Sequence, residues 1–421
     1  MVEQPIRVSV QIAGRDVPAA RLWTYREARS ESATFAYLPE FLARGDSYEL
    51  DPSLPLREGQ QHTAVGRALF GAFTDCAPDG WGRRLVLRAE QHQAREDERA
   101  PRGLAEIDYL LGARDDLRQG ALRLRGAREE TYLAPSDSGV PHLLHLPRLL
   151  NAAEELERDR PTAEDLRVLL EGASSLGGAR PKAHVSDTAG RLSIAKFPSP
   201  TSDRWDVIRW EEVALTLAHR AGIVVPKHRL HDIAGRPVLI LQRFDREGER
   251  RVGYVSAMTM LGAREGEQGS YLEIAEVAEE HSPQAAADLR QLWRRIVFGV
   301  LISNTDDHLR NHGFLRTSSA GWSLSPAFDL NPNPQGESKR LATAIDESNT
   351  LASLATALEV AELFRLAEED AQLIVGEVER ATADWPGMAR ANGLGKAEIE
   401  RMEPAFEHAQ RELARGFATE P

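Results

Sequence analysis

Ser303-Asn304-Thr305-Asp306-Asp307-His308-Leu309-Arg310-Asn311 follows directly on an apolar run, Ile296 to Ile302. Asp329 comes 18 residues after Asn311, inside Leu324-Ser325-Pro326-Ala327-Phe328-Asp329-Leu330. An Asp, an Asn five residues on and a later Asp beyond a short strand suit phosphoryl transfer. One carboxylate, Asp306, orients and deprotonates a hydroxyl, while the amide of Asn311 and the carboxylate of Asp329 hold magnesium, a hard ion that prefers oxygen ligands. The plainer reading is local, since Asx residues cap helices and shape turns. The apolar run weighs against it, because a polar cluster fastened to buried residues is held in place.

Two features upstream could meet a phosphate. Gly172-Ala173-Ser174-Ser175-Leu176-Gly177-Gly178-Ala179-Arg180-Pro181-Lys182 combines glycines, hydroxyls and cations. Glycines let backbone N–H groups approach an anion closely. The segment has neither a Walker Lys-Ser/Thr ending nor G-x-G-x-x-G, and a surface turn is the competing reading. Lys196 ends the strand-like Leu192-Ser193-Ile194-Ala195-Lys196-Phe197. A lysine anchored on a strand keeps a fixed distance from a nucleotide's phosphates if a carboxylate orients it, and Glu211 on the next helix is the candidate. A lone strand-end lysine reaching solvent is the alternative.

The spacing of apolar residues and turn signals predicts an α+β chain. Val8–Ile12 before Ala13-Gly14-Arg15-Asp16, and Phe35–Leu38 before Pro39, read as strands, with helix entering at Trp81–Gln93. The cluster Pro135-Ser136-Asp137-Ser138-Gly139-Val140-Pro141 favours turns and marks a domain boundary, giving a domain over 1–140 and a second region over 141–421. Beyond it, Arg191–Phe197 and Arg236–Gln242 read as buried strands around a helix over Asp206–Ala221, where Val207, Trp210, Val213, Ala214 and Leu217 recur at helical spacing. From Tyr271 onward the pattern predicts helices over Ala285–Leu301, Leu351–Ala381 and Lys396–Phe417, hence a helical second lobe.

Composition narrows the function. The chain has 421 residues, 42% hydrophobic and 28% charged, as a folded protein of more than one unit does. Its 52 basic against 65 acidic residues, net −13, disfavour DNA binding by the chain alone. The basic stretches Arg83-Arg84 with Arg88 and Arg118 to Arg128 read as solvated faces, with a minor nucleic-acid or partner surface as the alternative. A single cysteine, Cys76, excludes an internal disulfide and fits a reducing cytosol. With no secretory start and no membrane-length apolar run, a cytoplasmic location is expected, with no membrane partner. His308 and His312 have the i, i+4 spacing of a zinc pair but lack the intervening Glu and an indicated third ligand.

Taken in order, Ser175-Leu176-Gly177-Gly178-Ala179-Arg180-Pro181-Lys182, Ile194-Ala195-Lys196-Phe197-Pro198, Leu241-Gln242-Arg243-Phe244-Asp245, Asn304 to Asn311 and Ser325 to Leu330 resemble the HipA family of bacterial serine/threonine kinases, the toxins of toxin–antitoxin pairs. Phe35-Ala36-Tyr37-Leu38 and Ala77-Pro78-Asp79-Gly80-Trp81 extend the resemblance to that family's first domain. It implies a two-lobed, protein-kinase-like fold with ATP in the cleft. Lys196 would then contact the nucleotide phosphates, and Gln242 and Phe244 would offer backbone groups to adenine. Asp306 would be the catalytic base with His308 supporting its loop, and Asn311 and Asp329 would hold magnesium. Ser175 falls where the family autophosphorylates, with Ser174 beside it, and Lys182 falls where the same loop meets phosphate. The resemblance also implies a helix-turn-helix antitoxin, HipB-like, that supplies DNA binding, and a protein substrate, an aminoacyl-tRNA synthetase in some members. A catalytically weak nucleotide-binding corepressor is the alternative.

Overall fold

The computed structural model describes residues 5–27, 30–78, 80–134, 139–172 and 178–418. Pro135–Ser138, where the sequence marks a boundary, lie outside them, as do Ser174 and Ser175. The chain forms two compact units. One comprises Met1–Ser202 and Gln242–Val255, the other Asp203–Leu241 and Ser256–Pro421.

The first unit opens with an antiparallel five-stranded sheet in the order Gln61–His62, Glu31–Tyr37, Arg15–Arg26, Ile6–Ile12, Leu122–Arg125. Its first hairpin pairs Ile12 with Arg15 across Ala13 (φ 49°) and Gly14 (φ 79°). Two consecutive left-handed residues give the turn whose twist matches antiparallel strands. The register slips between Val8 and Ser9 opposite Pro18, which has no N–H for the ladder. Phe35 of the sheet meets Phe70 and Phe73, each at 6.0 Å between ring centres, and these rings and Phe41 are buried. Phe35 meets Tyr37 edge-on at 4.8 Å, and Tyr37 stacks on Phe41 at 5.6 Å. Each fully buried ring contributes about 2–3 kcal/mol through its removal from water. Helices Gly80–Glu96, Leu146–Glu157 and Ala163–Gly172 and the hairpin Lys182–Ser186 with Leu192–Lys196 complete the unit.

Arg118 corrects the expectation of a solvated basic face. Its side chain is fully buried and donates to Leu110 O at 3.0 Å and Ala113 O at 2.7 Å, so it staples a loop from within. Arg123 and Arg251 pair with the buried Asp115. These cations are enclosed because carboxylates and carbonyls already answer them, the condition under which charge tolerates burial.

The second unit is mainly helical. Helix Ala285–Ile302 is buried on every side from Leu292 onward; its apolar end Ile296–Ile302 must be, and the buried Arg294 and Arg295 donate to Ala221 O and Ser325 O. Helices Tyr271–His281, Leu354–Glu359, Glu368–Thr382 and Lys396–Phe406 pack on it. Helix Val207–Arg220 buries Val207, Trp210, Val213, Ala214 and Leu217, and Trp210 joins Trp385 and Phe406, whose rings stack at 4.6 Å. The single helix expected over Leu351–Ala381 is three pieces. Ser353 caps Leu354–Glu359 by accepting from Thr356 N, a 3₁₀ turn spans Ala361–Phe364, and Arg365 at φ 58° ends that turn before Glu368–Thr382. Leu351 is 40% exposed and lies outside these helices. Lys396–Phe417 likewise breaks after Phe406 and resumes over Ala409–Arg415. Among the described residues no helix is long and apolar enough to cross a membrane.

Candidate active site

In the second unit the buried helix Ala285–Ile302 ends at Ser303, whose backbone turns left-handed (φ 53°) and whose hydroxyl donates to Ala405 O at 2.9 Å. Asn304 N donates to Gly299 O at 2.8 Å, closing the helix and releasing Thr305–His308 as a short loop. Within that loop the two neighbouring carboxylates part company: Asp306 is exposed and Asp307 is buried. A 3₁₀ turn over Leu309–Asn311 swings Asn311 back, so that its Nδ2 donates to Asp306 O at 3.1 Å. Asp306 and Asn311, five apart in sequence, are thereby joined directly.

The buried Asp307 anchors the loop. Its Oδ2 accepts from Tyr271 OH at 2.5 Å and lies 3.2 Å from His312 Nε2, while its carbonyl accepts from Thr343 Oγ1 at 2.6 Å. Burial raises its carboxyl, but His312, the Tyr271 hydrogen bond and His308 outweigh burial and hold it below the usual carboxylate range. Burial, reinforced by Asp307, pushes the Tyr271 phenol well up, so it remains a donor. Burial lowers Arg295 to about 10, although Asp307 and Asp288 oppose it.

The 18 residues from Asn311 to Asp329 are folded away in a hairpin, Gly313–Ser318 with Gly321–Leu324, and Ser325 N returns to Gly313 O at 2.8 Å. Asp329 has a left-handed backbone (φ 59°), a conformation that aspartate, with asparagine, tolerates better than most residues other than glycine. Asn331 Nδ2 donates to Asp329 O and to Asp329 Oδ1, each at 3.2 Å, and Asn331 N donates to Asn304 Oδ1 at 3.1 Å. Asn333 Nδ2 donates to Thr305 Oγ1 at 2.8 Å. Asp306, His308 and Asn311 thus share one pinned loop, and Asp329 is tied through Asn331 to Asn304 at the loop's start. The oxygens of Asn311 and Asp329 are the donor type magnesium takes, and one or two such groups plus substrate phosphates are its usual complement. The two histidines of the zinc spacing differ in surroundings: His312 is buried against Asp307, and His308 is part-exposed at the start of the 3₁₀ turn.

The first unit carries the other expected residues. Lys182 and Lys196 face each other across the hairpin register, and Lys196 is 9% exposed at its strand end. Gly178 takes a left-handed φ of 95°, which favours glycine, and a Cβ there would meet only the movable end of Lys182, Nζ at 2.6 Å. The Gly178–Lys182 stretch rests on the start of helix Gly80–Glu96. Trp81 N donates to Gly178 O at 3.1 Å, Trp81 Nε1 to Lys182 O at 3.0 Å and Arg84 to Ala179 O at 3.0 Å. Gln242 ends its strand, and the Phe244 ring lies 6.4 Å from that of Tyr254. Between them Arg243 is buried, donating to both carboxylate oxygens of Asp245 at 2.8 and 2.5 Å and to Leu117 O at 2.6 Å. Glu211, the expected partner of Lys196, is a buried residue of the second unit.

Sequence reasoning gave no role to Asp307, Tyr271, Asn304 or Asn331, and met His312 only as half of a zinc-spaced pair. The one available signal was Asn331-Pro332-Asn333-Pro334 just after Asp329, a cluster of turn formers.

With this geometry in hand, similarity to known proteins is informative. The family described as HipA-like C-terminal domain matches residues 174–385, half of the chain, and the HipA N-terminal domain matches residues 10–101. The chain belongs to the HipA family. A "Putative kinase" of Haemophilus influenzae is 27% identical over 143 residues, 30% of this chain and 42% of that protein. A second "Putative kinase", of Sinorhizobium fredii, is 29% identical over 223 residues, 48% of this chain and 53% of that protein. The chain therefore aligns with about half the length of these curated relatives. HipA from the Shewanella oneidensis complex of HipA, HipB and operator DNA shares the fold at a TM-score of 0.64 and 15% identity, over 98% of both chains.

Proposed function

We propose that this HipA-family chain is an ATP- and magnesium-dependent serine/threonine-protein kinase, the toxin of a toxin–antitoxin pair. The observation that carries the proposal is the loop in which an exposed Asp306 is tied to Asn311 and hung from the buried Asp307. Phosphoryl transfer needs little covalent help from a protein and much positioning. In this reading Asp306 accepts the proton of the attacking hydroxyl at its carboxylate, and Asn311, bonded to the Asp306 carbonyl, keeps the loop in shape. Magnesium, held by Asn311 and Asp329, would neutralise charge on the phosphates. Lys196 and Lys182 attract those phosphates, and the backbone at Gln242 and Phe244 orients the base.

The proposal extends to autophosphorylation at Ser175, where roughly −1.5 to −2 units of added charge would switch the enzyme off. The partner is a helix-turn-helix antitoxin that carries the complex to DNA, in keeping with the net charge of −13. The acceptor is a protein, an aminoacyl-tRNA synthetase being the first to assay. Transfer from labelled ATP, to the chain itself and into a cell extract, tests the reading. Asp306→Asn is expected to lower the rate by about 10²-fold or more. Full activity in that variant would overturn it.

A further inference from the structure

The amides of Asn304 and Asn331 connect the loop that carries Asp306 to the carboxylate of Asp329. Their hydrogen-bond directions are fixed by what they touch. Asn331 N–H can only donate, so the Asn304 atom facing it at 3.1 Å is the oxygen. The Asp329 carbonyl and ionised carboxylate only accept, so the Asn331 atom facing both at 3.2 Å is the nitrogen. With both amides oriented, two atoms remain: Asn304 Nδ2, in a side chain 1% exposed, and Asn331 Oδ1. Both are buried and without a hydrogen-bond partner among the described residues. A buried donor and a buried acceptor left unmade each cost about 1–3 kcal/mol, so such atoms mark places where something else completes the site.

We infer that Asn331 is a positioning residue for metal at Asp329, with Asn304 as its tether, an inference that rests on the assignment of Asp329 as a magnesium ligand. Asn331 Nδ2 grips the Asp329 carbonyl and carboxylate together, which restrains the carboxylate's rotation at this left-handed residue. The Asn331 Oδ1 acceptor, on the same amide, suits a hydrogen of a metal-held water, and magnesium ordinarily keeps several waters. Asn304 holds Asn331 to the end of the buried helix, so the metal-facing carboxylate and the Asp306 loop share one support. Groups that orient a ligand in this way typically account for 10- to 100-fold in metal affinity.

Manganese serves as the probe. Free Mn²⁺ is followed by electron paramagnetic resonance as it is titrated into the full chain with a non-hydrolysable ATP analogue. Asn331→Ala is expected to weaken Mn²⁺ binding about 10-fold or more. The analogue's metal-free affinity should stay at the wild-type value, while the melting temperature without metal falls by the few degrees that the lost Asn331 hydrogen bonds cost. Unchanged Mn²⁺ affinity in Asn331→Ala, when Asp329→Asn abolishes binding, would overturn the inference alone. Unchanged affinity in Asp329→Asn as well, or no Mn²⁺ binding by the wild type, would remove Asp329 as a ligand and the inference with it. Should Asn331→Ala fail to fold, the near-isosteric Asn331→Leu is read by the same criteria.

Discussion

Removing one oxygen atom, in Tyr271→Phe, tests whether Asp307 is the anchor of the active loop. Tyr271 is 1% exposed and donates at 2.5 Å to a carboxylate that is itself 5% exposed. Phenylalanine fills the same volume, so no cavity contributes. What is lost is a buried hydrogen bond to a charged acceptor, about 1.5–3 kcal/mol. The second unit has roughly 200 residues, for which each kcal/mol shifts the midpoint by about 2–4 °C, so a fall of about 3–12 °C is expected. The pH dependence has a definite sign. Asp307 is depressed in the folded state, so its stabilisation is fully present above the unfolded carboxylate value and is lost as pH falls through the folded one. Tyr271→Phe removes one of the groups that depress it. The deficit of the variant should therefore be full at neutral pH and shrink under acid conditions. Calorimetric melts of wild type and variant between neutral pH and about pH 3, spanning the unperturbed Asp range, measure both effects. Equal midpoints at neutral pH, or a deficit that grows on acidification, would refute the assignment of Asp307 as a buried, ionised anchor.

Gly80→Ala should disturb the first unit. The new Cβ would sit 2.7 Å from Gly178 O at a residue whose φ is +29°. Overpacking of this kind costs about 1–3 kcal/mol, and the Gly178–Lys182 seat should shift. Weaker binding of an ATP analogue at unchanged second-unit stability, followed by fluorescence and calorimetry, is the expected pattern. Asp245→Ala should destabilise the first unit by about 3–5 kcal/mol, because Arg243 and Arg246 are left buried without their carboxylate. Burial raises the Asp245 carboxyl, yet the two arginines hold it well below the usual range. The loss should thus be complete above about pH 4 and fade as pH falls. Chemical denaturation at several pH values checks it.

The parts legible from sequence were those whose geometry is covalent or periodic. Helix Val207–Arg220 and strand Arg236–Gln242 follow from spacing alone. Asp306 and Asn311 are close because only five residues separate them. The apolar rhythm from Leu351 to Ala361 continued across a cap at Ser353 and into a 3₁₀ turn, so periodicity alone ran separate pieces together. Helices Leu146–Glu157 and Ala163–Gly172 went unread, although Thr162 and Asp165 exchange capping hydrogen bonds at the start of the second. Asp307 was hidden because its identity as the buried member of a pair depends on Tyr271, 36 residues away, and no local pattern records that contact. Arg118 was misread for the same reason, since the carbonyls that accept its protons are arranged by the loop it staples.

The first unit is not contiguous in the chain: its last segment, Gln242–Val255, is made only after 39 residues assigned to the other unit. On a ribosome adding about 5–20 residues per second, the Met1–Ser202 portion waits about 3–10 s before Val255 is made. Until then Arg118, Leu117 and Gly120 lack the Arg243 and Asp245 groups that later meet them, and His184 lacks Arg243. Nascent chains halted just short of Arg243 should therefore be digested by proteases far faster than chains released past Val255, and no single cut in the gene yields either unit whole.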